Sequence, residues 1–150
     1  MYEQRFMLEA LALAKKAFQK NEVPVGAILT HNNFIIGSGY NKVIGNNSVI
    51  AHAEIIAINE ASKFLNNYRL LNTTLYTTLE PCHFCAKAIV DARIKQVYFG
   101  ASEPKTGAII SVDNFFEKPY LNHKVSFSSG YLQGESASLL KAFFKNKRQN

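Results

Sequence analysis

Cys82 and Cys85 stand three residues apart in the stretch Thr78-Leu79-Glu80-Pro81-Cys82-His83-Phe84-Cys85. On a helix that spacing turns both thiols to one side. The segment reads as a strand end, a proline-marked turn and a helix with Pro81 at its first position, where a missing N–H has no intrahelical partner to lose. The positive pole of such a helix favours thiolates, the form that binds metal. Upstream, Ala51-His52-Ala53-Glu54 opens another apolar run. Two thiolates and an imidazole form a borderline-soft donor set suited to zinc, one ion per chain. Three protein ligands leave the fourth tetrahedral position to water, the mark of a catalytic centre. Glu54 can fan toward the same mouth from a first helical turn and carry that water's protons without ligating the metal.

Two plainer readings of the same residues stand beside this one. A fourth ligand from His31, His83 or His123 would close the site and make it structural. Alternatively, Cys82 and Cys85 form a thioredoxin-like redox pair, which also follows a strand. Neither gives Glu54 a purpose. His31, at a hairpin, is expected to be solvated, and His83 lies on the diverging side of the helix. His123 reads equally as a core histidine or a phosphate contact.

At 150 residues the chain is expected to form a single domain, residues 1–150, with a core of its own. Its 47% hydrophobic and 19% charged residues are ordinary for a soluble globular protein. It has neither a signal-like apolar run nor a span of about 18 apolar residues, so the reading is cytoplasmic with no membrane partner. Both cysteines sit in one Cys-x-x-Cys, which leaves none for a disulfide framework. The net charge of +6 suits a polyanionic partner. Lys141, Lys145, Lys147 and Arg148 crowd the last ten residues, interleaved with Phe143 and Phe144. The plainer account is a solvated helix end whose lysines suit the negative pole of the dipole.

These residues need a scaffold. Residues 2–20 carry Met7, Leu11, Ala14 and Phe18 at helical spacing. Residues 25–31 and 34–40 read as strands joined at Asn32-Asn33, a pair that tolerates positive φ. Gly37 and Gly39 suggest a bulge or a close backbone approach. A helix is expected over 51–64; after it a strand over 73–78, the cysteine-bearing helix to Asp91 and a strand over 96–100 form a βαβ unit with parallel strands. A loop over 101–114, a strand near 125–127 and a helix over 133–147 complete an α/β/α layered domain with a mixed sheet.

In the order His52-x-Glu54…Pro81-Cys82-x-x-Cys85, the motif resembles that of zinc nucleobase deaminases. The whole chain resembles the bacterial tRNA-specific adenosine deaminases. Glu22-Val23-Pro24-Val25-Gly26-Ala27, Ala51-His52-Ala53-Glu54 and Thr78-Leu79-Glu80-Pro81-Cys82 match that family in order. So do Phe99-Gly100-Ala101, Lys105-Thr106-Gly107-Ala108, Asn122-His123 and Phe143-Phe144 with its basic end. The resemblance implies a cytidine deaminase-like three-layer α/β/α fold with a five-stranded mixed sheet, and a homodimer. It implies hydrolysis of adenosine to inosine at the wobble position of a tRNA anticodon stem-loop, typically ACG of an arginine tRNA, with Glu54 as proton shuttle. By the same match Asn41 holds the nucleoside, and backbone amides around Ala53 and Cys82 line the pocket. Glu103, Lys105, Asn122, His123, Phe143, Phe144, Lys147 and Arg148 face the anticodon loop. Two departures stand out: Ser48-Val49-Ile50 where the family has Asp-Pro-Thr, and Glu103-Pro104 where it has Asp and a small residue.

Overall fold

The structure, a computed structural model, describes residues 1–149. Helix α1 spans Gln4–Gln19 and buries Phe6, Met7, Ala10, Leu11, Ala14 and Ala17 along one stripe. Strands β1 (Gly26–His31) and β2 (Phe34–Tyr40) form the expected hairpin, with φ of 52° at Asn32 and 63° at Asn33. Leu29 pairs with Gly37 and Thr30 with Ile35, so Ile36 is the extra residue of a bulge.

Helix α2 (Ala53–Leu65) lies on that hairpin through a face of small residues, Ala53, Ala57 and Ala61. The two glycines make the approach possible. A Cβ at Gly37 would fall 2.2 Å from the Ala57 carbonyl oxygen, and one at Gly39 2.6 Å from that of Ala53. The remaining elements are β3 (Thr73–Leu79), α3 (His83–Asp91), β4 (Gln96–Ala101), a short 3-10 turn (Phe115–Glu117), β5 (Ser126–Ser129) and α4 (Gln133–Gln149).

The sheet order is β2-β1-β3-β4-β5, antiparallel between β2, β1 and β3 and parallel from β3 to β5. Strand residues alternate between two cores, as a period of two requires. Leu75, Val97 and Phe99 face α2 and α3 with Ile89, while Ile28, Tyr76 and Tyr98 face α1 with Phe6 and Met7. Helices α1 and α4 cover one face and α2 and α3 the other, which makes three layers.

Two details differ from the sequence reading. Pro81 lies outside α3: Cys82 is the N-cap, and the Ala108 N–H donates to the Pro81 carbonyl at 2.9 Å, tying the proline to a loop rather than to a helical turn. The last strand is Ser126–Ser129, shifted toward its C-terminus, because Ser128 and Ser129 complete the ladder with Tyr98 and Phe99.

Candidate active site

The sheet's topology gathers the site at one edge. Because β1 runs antiparallel to β2 and β3, the start of β1 lies beside the ends of both neighbours. The Gly26 N–H donates to the Thr78 hydroxyl at 3.1 Å across that edge. Helices α2 and α3 both begin there, so their free N–H groups and positive poles converge. His52 caps α2 and Cys82 caps α3, both in extended conformation, with Cys85 on the first turn of α3.

The ligating atoms of His52, Cys82 and Cys85 all lie within 4.8 Å of one another. His52 Nδ1 is 3.3 Å from Cys85 Sγ and 3.7 Å from Cys82 Sγ. A tetrahedral zinc with ordinary bond lengths separates nitrogen from sulfur by about 3.6 Å, so spacing and donor set fit that ion. The other histidines are engaged elsewhere. His31 Nδ1 is 3.2 Å from the Asn72 carbonyl, His83 Nε2 is 2.9 Å from Asp113 Oδ2, and His123 Nε2 is 2.7 Å from the Ile94 carbonyl. None of them joins the group, so the closed site with a fourth histidine does not form among the described residues.

Charge in the cluster is strongly coupled. The Cys85 thiol donates to Cys82, which holds Cys82 down to about 4 against its burial, with His52 assisting. The same hydrogen bond, together with burial, pushes Cys85 far above the ordinary thiol range. A zinc ion in the site would take both sulfurs as thiolates. The hydrogen bond to Cys82 raises His52, against the opposing effect of burial.

Glu54 is 5% exposed, and burial pushes its carboxyl up to about 7 despite its own backbone N–H and the Cys85 thiol. Next to it the Ala53 N–H donates to Asn41 Oδ1 at 2.8 Å. The Ala53 amide expected to face a ligand is therefore already satisfied, and Asn41 secures the start of α2. The unusual Ser48-Val49-Ile50 still closes the turn into α2, through Ala51 N–H to Ser48 and His52 N–H to Ile50 at 3.1 and 2.8 Å.

A cleft of about 570 Å³ opens over the cluster. His52, Glu54 and Cys82 line it together with Asn41, Glu103, Thr106, Phe143, Phe144 and Lys147. Phe143 is 6% exposed, edge-on to Phe18, whereas Phe144 is 43% exposed. Of the expected core and surface roles, Phe143 takes the core one. Lys105 and Arg148 border an adjoining hollow that shares Glu103, Phe144 and Lys147 with the cleft. Asn122 and His123 are placed elsewhere, in a separate hollow with Phe116 and Lys118, where His123 meets the Ile94 backbone.

Residues 1–101 match the cytidine and deoxycytidylate deaminase zinc-binding region. The tRNA-specific adenosine deaminase of Haemophilus influenzae is 47% identical over 149 residues, 99% of this chain and 86% of that protein. The chain belongs to the tRNA-specific adenosine deaminases. A solved structure from work on A-to-I editing by tRNA:A34 deaminases at the wobble position of transfer RNA has a TM-score of 0.90 at 42% identity. It covers 92% of this chain and 100% of that one. A guanine deaminase from Nitrosomonas europaea has a TM-score of 0.79 at 21% identity, over 95% of this chain and 84% of that one, which speaks to the fold alone. Members of this family are zinc-dependent deaminases, and the three ligating residues of this chain suit that metal.

Two other carboxylates of the deaminase cleft escaped the sequence reading. Glu22 accepts the Ile44 and Gly45 N–H groups at 3.1 and 2.8 Å and holds the loop that follows β2. Glu80 accepts from the loop that follows β4. Both are buried glutamates in motif segments, and their partners are backbone amides, which leave no mark in residue type.

Proposed function

We propose that this enzyme hydrolyses adenosine to inosine at the wobble position (34) of tRNA, with an arginine tRNA of anticodon ACG as its substrate. The observation that carries this reading is a single cleft lined both by His52, Cys82 and Glu54 and by Phe144 and Lys147. Base chemistry and polyanion contact thereby share one opening. An anticodon loop suits such a cleft because a splayed base reaches it without the cost of opening a duplex.

One zinc per chain, held by His52, Cys82 and Cys85, would supply acidity to a water, lowering its pKa toward ~7. Glu54 does the proton work. It accepts a proton from water and returns it to N1 of adenine as oxygen adds at C6, then takes the proton of the added hydroxyl and passes it to the amine, so that the C6–N bond breaks, ammonia leaves and C6 keeps a carbonyl. A carboxyl pushed up to about 7 is suited to moving protons both ways near neutrality. Asn41 orients the nucleoside, and Glu103, Lys105, Phe144, Lys147 and Arg148 meet the flanking nucleotides. Asn122 and His123 lie in a separate hollow, His123 against the Ile94 carbonyl, and are left out of this set of contacts. The enzyme works as a cytoplasmic homodimer, a reading that rests on the family resemblance and is checked by light scattering on purified protein. Among the described residues no helix is long and apolar enough to cross a membrane.

Purified protein incubated with total tRNA, followed by nucleoside analysis, tests the reading. Inosine should appear at position 34 and in an isolated ACG stem-loop. Deamination of free guanine or cytosine with no inosine in any tRNA would overturn it in favour of a free-base enzyme.

A further inference from the structure

Glu80 lies between the end of β3 and Pro81, two residues before the cap of α3, and is 2% exposed. A buried carboxylate needs donors, and this one takes all of them from one loop. The Glu103 N–H donates to Oε1 at 3.0 Å, and the Ser111 hydroxyl donates to the same oxygen. The N–H groups of Ile109, Ile110 and Ser111 donate to Oε2 at 3.0, 2.8 and 3.0 Å. Gly107 completes the wrap, because a Cβ there would fall 2.3 Å from the Glu80 carboxyl carbon.

Ala108 and Ile109 anchor residues 103–111 in the core. Besides the carboxylate, their backbone ties to flanking residues are Ala108 N–H to Pro81, Val112 N–H to Gly107 and Phe115 N–H to Ala108, each at 2.9 Å. Yet this loop carries Glu103 and Thr106 to the cleft and Lys105 to the hollow beside it. The Lys105 N–H in turn caps the Glu103 side chain at 3.0 Å. Ahead of the core-anchored Ala108, the Glu103 end of this loop, which reaches the cleft, is fastened toward Cys82 by the Glu80 carboxylate.

We infer that Glu80 is a positioning residue for the reaction: its carboxylate holds loop 103–111 at a fixed distance from the His52–Cys82–Cys85 centre, so that nucleotides flanking the target meet the loop in register. This inference rests on the tRNA reading for its substrate and on the hydrogen bonds alone for its geometry.

Glu80→Gln tests it with little change in volume. One amide nitrogen must replace one acceptor oxygen. The Oε2 side faces three backbone donors, so the nitrogen goes to the Oε1 side, where the Ser111 hydroxyl can rotate to accept. The Glu103 N–H then has no acceptor. Losing one hydrogen bond to a charged group corresponds to roughly a 10- to 100-fold change. Amide exchange at Glu103 should accelerate by about that factor while β1 amides stay protected. KM for the ACG stem-loop should rise about 10-fold, with kcat within about 3-fold and zinc content unchanged. Ser111→Ala, at an exposed position, removes one donor and should move exchange and KM in the same direction by less. It serves as the readout should Glu80→Gln not fold. Unchanged exchange at Glu103, unchanged KM, or loss of zinc in a folded variant would each overturn the inference. A wild-type protein that makes no inosine would sink the tRNA reading instead, and the exchange pattern would still decide whether Glu80 holds the loop.

Discussion

Glu54 and Glu80 are both buried and both line the cleft, yet their surroundings push them in opposite directions. Around Glu54 burial dominates, and the carboxyl is driven up toward neutrality. Around Glu80 burial acts the same way, but the N–H of Ile110, the Ser111 hydroxyl and the N–H groups of Ser111 and Glu103 outweigh it and hold the carboxyl below its usual range. Two things differ: Glu54 is the more completely desolvated, and Glu80 has the larger set of donors. A carboxylate short of donors is ready to carry protons, whereas one saturated with donors is a fixed anion around which backbone can be laid.

The largest expected effects fall on the metal end. Cys82→Ala should lose zinc and with it all deamination, because two remaining ligands hold a tetrahedral ion poorly; metal analysis showing full occupancy would sink the ligand assignment. Glu54→Ala should keep zinc yet slow deamination by about 100- to 10,000-fold. Its melting temperature should hold or rise, since a buried carboxyl with few donors is removed. Zinc lost from a folded Glu54→Ala protein would instead make that residue a ligand, and the contrast between the two carboxylates would break.

Glu80→Ala should behave in the opposite way. Several loop N–H groups lose their acceptor, so stability should fall by about 3 kcal/mol. For a chain of this length that is roughly 6–12 °C in a thermal melt. A melt as stable as wild type would mean that water replaces the carboxylate, and the second half of the comparison would go.

The smallest effect concerns neither carboxylate and sharpens the division between chemistry and binding. Replacing Lys145, Lys147 and Arg148 with Ala should weaken tRNA binding and flatten the log–log salt dependence by about 0.7 for each phosphate that is no longer neutralised. Turnover at saturating tRNA should not change. An unaltered salt slope would make the end of α4 a solvated helix terminus.

The ligating group was legible in the sequence because metal chemistry demands particular side chains at particular spacings, and His52, Cys82 and Cys85 meet that demand. The Asn32-Asn33 hairpin was legible for a similar reason, since few residues accept two consecutive positive φ values. Glu80 was not, because it acts on backbone amides of residues 103–111, and any residue but proline supplies one. The misplaced Pro81 has a related cause: a proline just outside a helix and one on its first turn look alike until the cap is seen. His123 could not be assigned because the decisive partner is the Ile94 carbonyl, nearly thirty residues away and invisible to any local pattern.

The hydrogen bond from Ala53 to Asn41 carries a consequence for selectivity. With its oxygen turned to a backbone N–H, Asn41 cannot flip without setting donor against donor at the start of α2. Its two amide hydrogens remain free of that bond. On the proposed reading, in which Asn41 holds the nucleoside, the side chain would act as a polarity filter, favouring a lone pair on a ring nitrogen or ribose oxygen over a group that presents a hydrogen there.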